Sequence, residues 1–239
     1  MQYTFIDLFS GCGGMSLGFE MSGFKELLAI DNWKDALETY SYNRKGAQTL
    51  CADLSTLDPQ KIKEDYNINN VDVIIGGPPC QGFSVAGKRI IEDKRNELYK
   101  SFVRFVECFH PKSFVMENVP NILSIGGGMV KDSIVKDFEK IGYKVNVKVL
   151  TASDYGVPQN RRRAIFVGFA NGVDFEFPQP FKTEKVTSSE ALGDLTEESI
   201  PDGGAYPNEA TCDYQRYARN GSKGVFNHQI TIHNEKTKK

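Results

Sequence analysis

Short β-rich runs alternate with helical patterns through the first half of this chain. Apolar and β-branched runs typical of strands lie at residues 3–8, 26–30, 49–51, 71–75 and 113–116. Helical spacing occurs at residues 15–21, 34–43, 96–109 and 129–141. This alternation predicts an α/β fold, with a doubly wound, mostly parallel sheet and helices on both faces. Two more strands, at 143–150 and 164–169, are predicted on either side of a polar loop.

The chain length and composition suit one core with an appendage. The 239 residues are 40% hydrophobic, which is enough for a sizeable α/β core. We expect a cofactor-binding and catalytic domain over residues 1–170. Residues 171–239 are rich in Pro, Gly, Ser, Thr and Asn, which predicts a linker and an irregular appendage. The amino terminus shows neither a basic leader nor an apolar signal segment, so a cytoplasmic protein is expected.

Charge and cysteine spacing exclude several kinds of site. The 5 cysteines are odd in number and widely spaced, without a C-x-x-C pair. This pattern argues against a disulfide framework and against a zinc site, so no metal is expected. The formal net charge is −2, and any nucleic-acid binding must therefore come from a local patch. No apolar run approaches membrane-spanning length.

Cys80 follows a turn that ends a buried strand. Pro78 and Pro79 fix φ and remove two backbone donors, so the chain has little freedom before the thiol. A cysteine held in this way can be a nucleophile, although it can also simply fill apolar space. Residues 82–88 have the spacing of a phosphate-binding loop, but Arg89 stands where such a loop needs a hydroxyl.

A glycine-rich turn follows the first strand, at residues 9–14. Its three glycines let the backbone approach a ligand where side chains would block it. Asp31 ends the second strand, where an acid in a nucleotide-binding unit reaches ribose hydroxyls, and Asp53 follows the third strand. Together these features predict a site for an adenosine-bearing cofactor. The alternative is that each acid merely caps the next helix.

Glu117 follows the strand at residues 113–116. If that strand neighbours the one before Cys80, as consecutive β-α-β units usually do, both side chains emerge at the same sheet edge. The other interpretation is a surface glutamate before a turn. The three arginines at 161–163 precede a core strand, so at least one guanidinium is expected to face this edge. A buried arginine there would need an anionic or carbonyl partner.

These segments resemble the motifs of the cytosine-C5 DNA methyltransferases, in the order of that family. The matching segments are Phe9-Ser-Gly-Cys-Gly-Gly, Gly76-Gly-Pro-Pro-Cys-Gln-Gly-Phe-Ser, Glu117-Asn118-Val119 and Gln159-Asn-Arg-Arg-Arg163. The resemblance covers roughly residues 3–169, and residues 214–228 are similar to the family's lead into its target-recognition region. The family continues through a recognition domain and two late motifs. These are not found before Lys239, so that region is expected to be truncated.

The resemblance implies a DNA (cytosine-5-)-methyltransferase. Such an enzyme moves a methyl group from S-adenosylmethionine to C5 of a flipped-out cytosine in duplex DNA. The Cys80 thiolate would add to C6, while Glu117 would hydrogen-bond or protonate N3. Arg163 would hold O2, and Arg161 would support the thiolate region. The implied cofactor contacts are Phe9, Gly11, Cys12, Gly13, Gly14, Asp31, Asn32, Asp53, Leu54 and Pro78. The implied DNA contacts are Gln81, Ser84, Lys88, Arg89, Arg95 and Gln159.

The family also implies a biological setting. It predicts double-stranded DNA as partner, a restriction-modification system with a cognate endonuclease, and S-adenosylhomocysteine as product. Two alternatives remain open. One is a tRNA cytosine-C5 methyltransferase, although the hallmark Cys-Phe-Thr tripeptide of that branch is not found. The other is a non-catalytic cofactor- or DNA-binding fragment.

Overall fold

A computed structural model of the chain describes residues 2–79 and 97–230. Internal contacts divide the chain into two units. The first comprises Met1–Leu150 and Arg162–Pro178, and the second comprises Thr151–Arg161 and Gln179–Lys239. The domain boundary expected after residue 170 stays a prediction from the sequence.

Within the described residues, seven strands form one sheet. They are β1 (Thr4–Leu8), β2 (Lys25–Asp31), β3 (Thr49–Cys51), β4 (Val73–Gly76), β5 (Ser113–Asn118), β6 (Tyr143–Thr151) and β7 (Arg162–Ala170). The spatial order is β3-β2-β1-β4-β5-β7-β6. Strands β1 to β5 pair in parallel, whereas β7 runs antiparallel to β5. The predicted mostly parallel α/β sheet is confirmed, including the pairing of β4 with β5.

The seven helices of the described residues comprise the four that were predicted and three more. They are α1 (Gly14–Met21), α2 (Lys34–Asn43), α3 (Pro59–Asp65), α4 (Glu97–Phe109), α5 (Met129–Lys140), α6 (Ser188–Leu192) and α7 (Asp213–Arg219). Short 3₁₀ turns lie at Pro120–Leu123, Ile125–Gly128 and Ala152–Tyr155. Helix α3 was not predicted, because its seven residues bury only Pro59 and Ile62 and so show little periodicity. Two short helices, α6 and α7, lie in the region predicted to be irregular.

Strand alternation divides the core between the two sheet faces. On one face, Phe102 of α4 and Phe138 of α5 pack against Phe114 of β5, and all three are fully buried. On the other face, Phe5 of β1 packs against Phe19 of α1. The central strands therefore carry apolar side chains on both faces, as expected for a sheet covered on both sides.

The strand order determines where a ligand edge can form. The chain progresses from β1 to β2 and β3 in one direction, and through β4 and β5 in the other. Doubly wound sheets bind ligands outside the carboxyl ends of their strands at this reversal. The glycine turn follows β1, and the Pro78-Pro79 turn follows β4. Because β7 is antiparallel to β5, its first residues begin at the same edge, where Ala164 pairs with Asn118.

Candidate active site

The glycine turn has an unusual backbone, and one of its hydroxyl groups has no hydrogen-bond partner among the described residues. Phe9 adopts φ 58°, which is rare for a bulky residue, and Gly13 adopts φ 84°. The amide of Gly13 donates to the carbonyl of Ser10 at 2.9 Å. The Ser10 hydroxyl is buried and has no hydrogen-bond partner within the described part of the chain. A buried hydroxyl without a partner is costly, and a polar ligand at this turn would satisfy it.

Asp31 fixes the turn to the end of β2. Its Oδ2 accepts from the amide of Gly11 at 2.8 Å, and its Oδ1 accepts from the amide of Trp33 at 2.8 Å. An ionised carboxylate offers about four lone-pair directions, so each oxygen can accept a further hydrogen bond. The N-cap of α2 is Trp33. The interpretation of Asp31 as a helix cap is therefore wrong.

The neighbouring loop after β3 contains the other predicted cofactor contacts. Asp53 is exposed, and its Oδ1 accepts from the amide of Ser55 at 2.9 Å. Helix α3 is capped by Asp58, so the capping interpretation of Asp53 is also wrong. Leu54 is buried, and its carbonyl accepts from Arg104 Nη2 of α4 at 3.1 Å. Asn32, Cys12 and Gly14 are exposed, Gly11 is half-buried, and Gly13 and Pro78 are buried.

A buried polar network lies behind the turn. The Ser16 hydroxyl of α1 donates to Asp7 Oδ2 of β1 at 2.5 Å. The Tyr40 hydroxyl of α2 lies 2.7 Å from Ser16 Oγ and also contacts the Glu26 carboxylate of β2. Burial, reinforced by the nearby Glu26 charge, raises the pKa of Asp7 to about 7. Burial also raises the pKa of Glu26. Sequence patterns did not identify this network.

Glu117 and Arg163 form an ion pair at the carboxyl edge of the sheet. Arg163 Nε lies 2.6 Å from Glu117 Oε1, and each side chain is about a quarter exposed, at 25% and 24%. Arg163 Nη1 also donates to the carbonyl of Arg162 at 2.8 Å. A Cβ atom at Gly77 would lie 3.3 Å from Glu117 Oε2. The acid therefore lies against the backbone three residues before Cys80.

Asn118 ties the turn before Cys80 to the end of β5. Its side-chain amide donates to the Pro78 carbonyl at 3.0 Å, and its Oδ1 accepts from the amide of Val119 at 2.9 Å. The side chain is buried. Sequence reasoning included Asn118 in a motif but gave it no role. The structure shows that it connects the two strand ends.

The remaining predicted site residues lie in the second unit or outside the described residues. Gln159 and Arg161 are both exposed and belong to the second unit. Outside the described residues lie Cys80, Gln81, Ser84, Lys88, Arg89 and Arg95. Among residues 2–79 and 97–230, no cluster of His, Cys, Asp or Glu has the arrangement of a metal site. None of the helices that the structure describes combines the length and apolar character needed to cross a bilayer.

Comparison with known proteins gives a family match and several similar sequences. Residues 3–239 match the family described as C-5 cytosine-specific DNA methylase. The chain is 43% identical to the type II methyltransferase M.DdeI of Desulfomicrobium norvegicum, over 97% of this chain and 58% of that protein. It is 46% identical to the type II methyltransferase M1.HphI of Haemophilus parahaemolyticus, over 81% of this chain and 53% of that protein. The chain thus spans somewhat more than half the length of these relatives.

Solved structures show the same fold. One is a DNA modification methyltransferase encoded within a prophage of E. coli, with a TM-score of 0.70 and 32% identity. The match covers 84% of this chain and 56% of that one. A methyltransferase from Entamoeba histolytica has a TM-score of 0.64 at 23% identity, covering 84% of this chain and 63% of its own. At that identity the likeness supports the fold alone.

Proposed function

From the premise that this chain belongs to the C-5 cytosine-specific DNA methylase family, we propose that it methylates C5 of cytosine in double-stranded DNA. The observation that carries the proposal is the Glu117–Arg163 pair, which lies against Gly77 where β4 and β5 end. A carboxyl group and a guanidinium beside the turn that leads to Cys80 suit the activation of a pyrimidine ring. C5 of cytosine is a poor nucleophile and needs such activation.

The residues of the glycine turn and the loops beside it fit S-adenosylmethionine, which supplies an electrophilic methyl group when bound. The fit rests on the Ser10 hydroxyl, which has no hydrogen-bond partner among the described residues, and on the spare lone pairs of Asp31. Asp31 would hold the ribose hydroxyls, and Asp53 would lie near the adenine amine. The wall of this site would be formed by Phe9, Gly11, Cys12, Gly13, Gly14, Asn32, Leu54 and Pro78.

Cys80 would be the nucleophile. Its sulfur lone pair would form a bond to C6, and the displaced π electrons would be stabilised as Glu117 shares a proton with N3. Arg163 would hold O2, and Arg161 would favour the thiolate. C5 would then carry the electron density that forms a bond to the methyl group, whose bond to the cofactor sulfur would break so that S-adenosylhomocysteine leaves. A base would take the C5 proton, the C5–H electrons would restore the C5–C6 double bond, and the C6–S bond would break to release the Cys80 thiolate.

The target base must leave the DNA stack, because no side chain can reach C6 within a duplex. We assign DNA contacts to Gln81, Ser84, Lys88, Arg89, Arg95 and Gln159, whose side chains can donate to phosphates or bases. A restriction-modification setting is proposed because the relatives M.DdeI and M1.HphI are named type II methyltransferases.

A covalent trap tests this function. Duplex DNA of mixed sequence containing 5-fluorocytosine should form a denaturant-resistant adduct with the 239-residue chain in the presence of S-adenosylmethionine, because fluorine blocks the final elimination. Cys80→Ser should abolish the adduct, whereas Cys212→Ser, a change in the second unit, should leave it intact. Peptide mapping to Cys12 or Cys51 would contradict the nucleophile assignment. Methyl transfer into tRNA but not into DNA would contradict the substrate.

A further inference from the structure

Arg44, at the carboxyl end of α2, reaches the glycine turn from behind. Its Nη2 donates to the Gly13 carbonyl at 2.5 Å, and its Nη1 donates to the Cys12 carbonyl at 3.5 Å. Its Nε lies 2.7 Å from Glu20 Oε2 of α1. The arginine side chain is only 10% exposed. One guanidinium therefore joins α2, α1 and the turn between β1 and α1.

The packing around Arg44 explains why Gly13 is a glycine. The Arg44 guanidinium lies over the Tyr40 ring, 4.6 Å from its centroid. A Cβ atom at Gly13 would lie 2.5 Å from Arg44 Nη1 and 2.5 Å from the Tyr40 ring. Gly13 also has φ 84°, which side chains rarely adopt. The turn backbone is therefore pressed directly against the arginine and the tyrosine.

The charges around Arg44 favour this position. Glu20 pairs with it directly, and its charge also attracts the carboxyl groups of the buried Asp7 and the half-buried Glu26. A guanidinium presents five donors in a rigid fork, so it can bind a carboxylate and two carbonyls at once. A lysine could not make all of these contacts.

We propose that Arg44 is a positioning residue for the methyl donor, which holds the glycine turn in its binding conformation without contacting the ligand. This inference rests on the proposed function. Peptide groups are planar and trans, so holding the carbonyls of Cys12 and Gly13 toward Arg44 turns the amides of Gly13 and Gly14 the opposite way, and the Gly13 amide then donates to the Ser10 carbonyl. Without the Arg44 guanidinium these peptide groups could rotate more freely. Binding of the methyl donor would then have to order the turn again.

Calorimetric titration with S-adenosylhomocysteine tests the proposal. Arg44→Met should weaken binding by about tenfold or more, comparable with loss of one hydrogen bond to a charged group. Arg44→Lys should recover part of the affinity, because it restores the charge with a single ammonium. Trp33, the chain's only tryptophan, is 62% exposed beside Asp31 and gives a second readout through its fluorescence.

Arg219→Met is the matched control. Arg219 lies over the Tyr206 ring at 3.9 Å, pairs with Asp194 and donates to the Asn208 carbonyl, all within the second unit. It thus copies the arrangement of Arg44 within the other unit. Both methionine variants are expected to unfold at lower temperature, but only Arg44→Met should lose affinity in titrations carried out well below either transition.

The outcomes separate this inference from the proposed function. If the wild-type chain binds no S-adenosylhomocysteine, the proposed cofactor is wrong. If the wild type binds and Arg44→Met binds equally well, the positioning role is wrong. Should Arg44→Met fail to fold, Arg44→Lys and Glu20→Gln decide, because both loosen the fork while keeping the side-chain bulk. Weakened binding in these two variants supports the role, and wild-type affinity in both overturns it.

Discussion

Two arginine–glutamate pairs in the first unit share one geometry but have different surroundings. Arg163 Nε lies 2.6 Å from Glu117 Oε1, and Arg44 Nε lies 2.7 Å from Glu20 Oε2. The Arg163 side chain is 25% exposed, compared with 10% for Arg44. The first pair lies at the carboxyl edge of the sheet, while the second lies behind the glycine turn.

The remaining donors of the two arginines differ more than the pairs themselves. Arg163 donates to the carbonyl of Arg162, its chain neighbour. Arg44 instead donates to Cys12 and Gly13, more than thirty positions away in the sequence. The N–O distance of an ion pair therefore does not show what the pair does in the protein. The edge pair can present a carboxyl group to a substrate, whereas the inner pair shapes a backbone segment.

The largest expected effect separates the two glutamates. Glu117→Gln keeps the side-chain shape but removes its charge and its titratable proton. We expect methylation of DNA to fall by about 10²- to 10⁴-fold, the usual contribution of general acid–base catalysis. Transfer of tritiated methyl groups into duplex DNA measures this loss. Cofactor affinity, measured by calorimetry, should stay within about twofold of the wild type.

Glu20→Gln should show the opposite pattern. It weakens the hold on Arg44, so the affinity for S-adenosylhomocysteine should fall while turnover at saturating cofactor changes much less than in Glu117→Gln. If both glutamine variants lost turnover to the same extent, the distinction between the two pairs would disappear.

The arginines give the next largest effect. Arg163→Met should lower turnover by about 10²-fold, similar to the loss of one preorganised donor in an active site, because it removes the guanidinium that pairs with Glu117 and would hold the base oxygen. Steady-state kinetics should show this loss in kcat rather than in the KM for the cofactor. Arg162→Met is the control, because Arg162 is the neighbouring residue in the sequence and its side chain is exposed. An equal loss in the control would indicate a general charge effect on DNA binding.

Local patterns in the sequence were sufficient to predict the edge at which the candidate site lies. Parallel β-α units place strand ends together, so the glycine turn, Asp31 and Glu117 could be assigned to one edge before the structure was known. Pro78 and Pro79 likewise marked the end of β4 from their backbone chemistry alone. The structure confirms the strand pairing on which these predictions depended.

The supporting contacts could not be predicted, because each joins residues far apart in the chain. Asn118 reaches the Pro78 carbonyl, Arg44 reaches the glycine turn, and Arg104 reaches the loop after β3. The spacing of apolar residues in a sequence segment does not show how far a long side chain extends in the folded protein. For Asp31, both the cap and the ligand interpretation overlooked its bond to the Gly11 amide. That contact depends on the close approach of two loops.

The acids around Arg44 make the stability of the protein depend on pH. Burial raises the pKa of Asp7 from 3.8 to about 7, so the folded protein keeps this proton over a range in which the unfolded chain has lost it. The free energy of unfolding should therefore fall as pH rises from about 4 to about 7, by at most about 1.4 kcal/mol per pH unit from this group. Above about pH 7 this contribution levels off.

Asp7→Asn mimics the protonated acid and should flatten this slope. Urea unfolding at pH 5 and pH 8 measures the slope in both proteins. Glu26, whose pKa is also raised by burial, contributes with the same sign, so some pH dependence should remain in the variant. Asp35→Asn, an exposed change on α2, serves as control. Identical slopes in the wild type and in Asp7→Asn would show that Asp7 ionises normally in the folded protein.

The smallest effect is expected at a third arginine, which tests whether burial gives Arg44 its importance. Arg104 donates to the carbonyls of Leu54 and Ser55 at 3.1 Å each, much as Arg44 donates to the glycine turn, but it is exposed. Water can replace its hydrogen bonds, so Arg104→Met should weaken S-adenosylhomocysteine binding by less than about 1 kcal/mol. A loss in calorimetry as large as that of Arg44→Met would mean that contact with loop carbonyls, and not burial of the guanidinium, decides how strongly an arginine supports this site.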